Sequence, residues 1–80
     1  MKEVLVRSYE GEVLVKCANN MKREDVIEAV RAYLQEQRGE AIYKLSNVEY
    51  LTESKYLKEK WAAEERGEGF LFENIDTIEI

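Results

Sequence analysis

The sequence predicts a small α+β domain in the order ββαβαβ, with a mostly antiparallel sheet of about four strands, one main helix packed on a face and a shorter second helix on that same face. Three observations carry the prediction. Two β-rich runs meet at Glu10-Gly11, and an amphipathic stripe runs through Val26, Ile27, Val30, Tyr33 and Leu34. The chain then closes on two strand-like pieces, Phe70-Leu71-Phe72 and Asp76-Thr77-Ile78-Glu79-Ile80. Residues 1–80 read as a single domain, without repeat, linker or low-complexity segment.

Val4-Leu5-Val6-Arg7-Ser8-Tyr9 and Glu12-Val13-Leu14-Val15-Lys16-Cys17 read as the arms of a hairpin with Glu10-Gly11 as its loop. That loop pairs Val4 with Cys17, Val6 with Val15 and Ser8 with Val13 on the core face. The other face carries Leu5, Arg7, Tyr9, Glu12, Leu14 and Lys16, so Leu5, Tyr9 and Leu14 must be covered or stay half exposed. Asn19 or Asn20 is the expected N-cap of the first helix, which runs to about Arg38 and exits at Gly39. Its acids come early and Arg38 comes last, as the helix dipole favours.

Ala41–Leu51 reads as a strand broken near Ser46-Asn47, with Val48 and Tyr50 on one side. Thr52 caps a second helix whose narrow stripe of Tyr56, Leu57 and Trp61 packs at an edge or turns Trp61 outward. Gly67-Glu68-Gly69 ends it. Phe70, Phe72, Ile78 and Ile80 share a parity, which predicts one long, bulged last strand.

The charge is one-sided. Residues 1–63 hold eleven acids and eleven bases, whereas 64–80 hold Glu64, Glu65, Glu68, Glu73, Asp76 and Glu79 against Arg66 alone. The whole net charge of −5 therefore sits in the last seventeen residues. An acidic end attracts a basic partner and repels nucleic acid, so direct nucleic-acid binding is not expected. The absence of histidine removes the commonest general base near neutral pH and the commonest transition-metal ligand. Cys17, the lone cysteine, sits on the apolar face without a base to activate it and reads as a small buried hydrophobe. No apolar run reaches the roughly eighteen residues of a membrane span, and a reducing cytoplasmic setting is the expectation.

Glu73, Asp76 and Glu79 recur along the last predicted strand, a row that could mimic the phosphates of a nucleic-acid strand or simply solvate an edge. Glu64 and Glu68 stand four apart near a helix C-terminus, where like charge and the dipole both oppose them. Acids placed against folding preference point to selection for something other than folding. Tyr56 and Trp61, with Leu57, read either as an aromatic anchor for a partner or as a core plug over one end of the sheet. The carboxylates match no EF-hand spacing, no facing pair is singled out for hydrolysis, and Gly67-Glu68-Gly69 lacks the lysine of a phosphate loop. No catalytic residue, metal site or cofactor is expected.

The helix start Glu24-Asp25-Val26-Ile27-Glu28-Ala29-Val30, after a hairpin and before Val48-Glu49-Tyr50, resembles the DpnD/PcfM-like family of small phage and plasmid accessory proteins. The likeness covers about the first fifty residues, and residues 52–80 depart from it. In size, acidity and lack of histidine the chain is also similar, as a class, to phage inhibitors of host defence such as anti-CRISPR proteins. That resemblance implies occupation of a nuclease where its nucleic acid would sit. The expected function is thus a non-enzymatic binding protein of a mobile element, with Glu64, Glu65, Glu68, Glu73, Asp76 and Glu79 meeting a basic protein surface beside Tyr56 or Trp61. The alternative is a homodimer assembled through Leu5, Tyr9 and Leu14 or by pairing of sheet edges, with the acidic end serving solubility.

Overall fold

Val4-Leu5-Val6 and Val13-Leu14-Val15 are apolar at every position, and the fold buries both sides of the sheet they form. The computed structural model describes residues 1–80. Its elements are β1 (Lys2–Ser8), β2 (Gly11–Cys17), α1 (Arg23–Arg38), β3 (Glu49–Leu51), α2 (Glu53–Glu65), a 3-10 turn (Gly69–Phe72) and β4 (Asp76–Glu79). The sheet order is β3-β1-β2-β4, with β1 antiparallel to β2 and β3, and β2 parallel to β4. The α+β class and the four strands agree with the sequence reading. The last strand lies at an edge.

Two cores flank the sheet. On one side Val4, Val6, Val13, Val15 and Cys17 meet Val26, Val30 and Leu34 of α1, together with Ile42 and Leu45. On the other, Leu5, Leu14 and Leu51 meet Tyr56 of α2, with Leu57, Phe72 and Ile75 packed around them. Each fully buried valine or leucine contributes about 1.5–3 kcal/mol, so both layers matter to a domain this small. The helices therefore take opposite faces of the sheet, contrary to the expectation that both share one. Leu5 and Leu14 are buried under α2, so of the predicted dimer face only Tyr9, in the turn, stands exposed.

The hairpin turn is Tyr9-Glu10, not Glu10-Gly11, and the register moves by two: Val4 faces Val15, Leu5 faces Leu14 and Val6 faces Val13. A shift of two preserves the faces, because side chains alternate with a period of two. Gly11 suits this position twice over: its φ is 157°, and a Cβ there would lie 3.0 Å from Leu34 Cδ2. The turn is held from outside. Ser46 N–H and Oγ–H donate to the Glu10 carboxylate at 2.7 and 3.0 Å, and Tyr9 N–H donates to the Ser46 carbonyl at 3.0 Å. The Ser46 backbone bond, foremost, holds the Glu10 carboxyl below the usual carboxylate range.

α1 starts later than predicted. Asn19-Asn20 form the turn out of β2, closed by Met21 N–H on the Ala18 carbonyl at 3.1 Å, and Lys22 takes the N-cap position. Its exit is as expected: Gly39 adopts φ 67° and its N–H bonds the Gln35 carbonyl at 3.0 Å, an αL cap. The strand expected over Ala41–Leu51 shrinks to Glu49–Leu51. The residues before it are pinned as a loop by buried Ile42 and Leu45, by Arg31 donating to the Ile42 carbonyl, and by Ile42 N–H donating to Gln35 Oε1. Thr52 is the N-cap of α2, as expected. The long final strand is not formed. Phe70 and Phe72 belong to the 3-10 turn, whose three-fold repeat sends Phe72 onto Tyr56 and leaves Phe70 exposed.

Candidate functional site

The acidic segment begins in the last turn of α2, which contains Glu64 and Glu65 and no basic residue. A Schellman cap reverses the chain there. Gly67, at φ 76°, donates to the Glu64 carbonyl at 3.1 Å, and Glu68 N–H donates to the Ala63 carbonyl at 2.7 Å. Glu68 thus lies beyond the helix, so the predicted helical pair with Glu64 does not exist. The reversal brings Gly69 against Glu64, whose Cγ would be 3.0 Å from a Cβ at that position.

The predicted row of strand acids is also broken up. Glu73 follows the 3-10 turn, and β4 begins only at Asp76. Asp76 lies opposite Val13 on the α1 side, while Glu79 lies opposite Lys16 on the α2 side. Asp76 is engaged within the fold: Tyr33 O–H donates to its Oδ2 at 3.0 Å, and that bond raises the Tyr33 pKa. Glu64, Glu65, Glu73 and Glu79 join no ion pair, and Arg66 reaches Glu68 at 3.5 Å in the open.

The two aromatic candidates separate. Tyr56 is 5% exposed, with its ring tilted on Phe72 at 6.1 Å between centroids, and belongs to the core. Trp61 is 58% exposed. On α2 it sits three and four residues ahead of Glu64 and Glu65, which places both carboxylates on its side of the helix. Phe70 and Leu71 are exposed on the adjoining 3-10 turn, so apolar and acidic side chains share this end of the molecule.

A groove of about 380 Å³ opens between α2 and the 3-10 turn, lined by Ala62, Ala63, Leu71 and Phe72 and bordered by Arg7 and Arg66. Arg7 was not singled out by the sequence. Its guanidinium lies 2.7 Å from Glu12, 3.3 Å from Glu59 and 3.7 Å from Glu49. Partial burial draws the Arg7 pKa down, and the Glu12 bond with the three carboxylates outweighs this and raises it. With Tyr9-Glu10 as the turn, Arg7 and Glu12 become a cross-strand pair, which is the signal that could have revealed them. Arg7 ties β1, β2, β3 and α2 together and has no free charge for an anion.

The chain matches no protein-family model, no curated protein and no solved structure. No helix is long and apolar enough to cross a membrane. What the fold defines is an α+β domain with an acidic, partly apolar end.

Proposed function

We propose that this chain is a non-catalytic binding protein whose acidic C-terminal end docks on a basic protein surface of the kind that holds nucleic acid. The observation that carries the reading is the coincidence of two features. All of the net −5 charge lies in residues 64–80, and the exposed Trp61, Phe70 and Leu71 lie beside or within that segment. Charge supplies steering and Trp61 supplies the apolar anchor, the role the buried Tyr56 cannot fill. The Glu64 and Glu65 positions support it further, since both oppose the helix dipole and no ion pair compensates them. An inhibitor or accessory protein of a mobile element, anti-CRISPR-like in mode, is the setting this mechanism fits.

The test is affinity capture from source-cell lysate by the wild-type chain and by a variant carrying E64Q, E65Q, E68Q, E73Q, D76N and E79Q. The expected result is a nucleic-acid-binding protein held by the wild type, released by the variant and displaced by DNA or RNA. Its on-rate should fall about tenfold or more between low and physiological salt. Equal capture by both forms, or simultaneous binding of chain and nucleic acid, refutes the reading.

A further inference from the structure

Trp61 is the largest exposed apolar side chain on α2, and the layer beneath it is already complete without it. Tyr56 and Ala63 are the buried residues of that helix, and Leu57 adds to the same core. A packing role therefore does not account for an indole left 58% exposed.

Its surroundings describe an occupant. Glu64 and Glu65 follow at i+3 and i+4, the positions whose side chains neighbour a helical residue, and neither carboxylate is paired within the chain. The negative end of the α2 dipole lies at the same turn. Aromatic face, carboxylates and dipole all attract a cation. The fold shows the same contact elsewhere, with the Arg23 guanidinium 5.4 Å from the Tyr50 ring centroid, yet no internal cation covers Trp61. Lys60, at i−1, and Lys58, at i−3, take part in no ion pair or cation–π contact, and Arg66 is turned to Glu68 at 3.5 Å.

We infer that Trp61, Glu64 and Glu65 form a receptor for an arginine side chain of the protein partner. The guanidinium stacks on the indole while its N–H groups donate to the carboxylates. Arginine fits better than lysine because a planar, weakly hydrated guanidinium can stack and fork at once, whereas an ammonium is a compact and strongly hydrated charge. The inference rests on the acidic-docking reading above and specifies its central contact.

Trp61 is the only tryptophan, so its fluorescence reports on this site alone. Three peptides of equal length, alternating glycine with arginine, lysine or citrulline, are titrated by fluorescence and by calorimetry against the wild type, W61L and E64Q/E65Q. The arginine peptide is expected to shift the emission and to bind about two- to fivefold tighter than the lysine peptide for each engaged side chain, with citrulline inert. W61L should keep salt-sensitive binding but lose the arginine preference, and E64Q/E65Q should weaken the arginine peptide most. Equal affinity for the arginine and lysine peptides in the wild type, or a preference that survives W61L, overturns the receptor. Steep salt dependence without preference would overturn it while leaving acidic docking intact; no binding of either cationic peptide would overturn it outright.

Discussion

Replacing Tyr56 with alanine should cost far more than replacing Trp61, although the two residues stand five apart on one helix. Tyr56 is 5% exposed and packs with Leu5, Leu14, Leu51 and Phe72 in the core that α2 closes. Truncating a large aromatic side chain in such a place costs about 3–5 kcal/mol. A chain of eighty residues has a total stability of only about 4–12 kcal/mol, so the loss consumes much of it. At roughly 4–8 °C per kcal/mol for this size, the midpoint should fall by at least about 12 °C. Trp61→Ala removes a mostly exposed ring and should stay within about 1 kcal/mol of wild type. Tyr56→Phe, which keeps the ring, should also stay within about 1 kcal/mol. Urea and thermal melts followed by far-ultraviolet circular dichroism measure all three. Comparable losses for Y56A and W61A, or a Y56A melt within a few degrees of wild type, would show that α2 does not cover the Leu5–Leu14 face.

Gly11→Ala should lose about 1–3 kcal/mol in urea unfolding, because an L residue is strained at φ 157° and its Cβ would press on Leu34 Cδ2 at 3.0 Å. The Glu10 carboxyl is depressed in the folded chain, so its stabilising effect is present above its ordinary value of 4.5 and is lost as pH falls through the lowered folded value. The stability gap between wild type and Glu10→Gln should therefore be full at pH 7 and should close in increasingly acidic melts; a gap independent of pH would contradict the Ser46 contact. Glu64→Gln and Glu65→Gln should each raise stability by about 0.3–1 kcal/mol, since each removes an unpaired acid from a helix C-terminus. Chemical denaturation of the two variants checks this, and a loss of stability in either would reveal a partner inside the fold.

Features set by local chemistry were legible in the sequence. The apolar stripe of α1, the Gly39 exit, the Thr52 cap, burial of Cys17 and the face shared by Val4, Val6, Val13 and Val15 follow from period and capping. The hairpin register did not, because an even shift leaves every side chain on its face and Gly11 drew the turn toward itself. Its glycine serves Leu34, a contact between separate elements. The unbroken Val-Leu-Val runs were the sign of a sheet buried on both sides, but the hydrophilic look of α2 masked its role as the second cover. At the candidate site, the excess charge needs no geometry and could be counted. Which acids share a surface, and that Asp76 bonds Tyr33, depended on where β4 and the 3-10 turn lie.

The placement of the hairpin at the centre of the sheet has a consequence for the order of assembly. β1, β2 and α1 are contiguous over residues 2–38 and supply eight of the ten buried residues of the first core. Only β3 and β4 are added from later in the chain, one on each flank, and the parallel Val13–Asp76 register closes a long loop. Short-range contacts form before long-range ones because less chain entropy is lost in making them. The contacts among β1, β2 and α1 are thus the first expected to form, with the later strands docking on either flank. Exposed positions of residues 64–80 then fall outside those first contacts, whereas Asp76 and Ile78, which reach Tyr33 and the α1-side core, are tied to them.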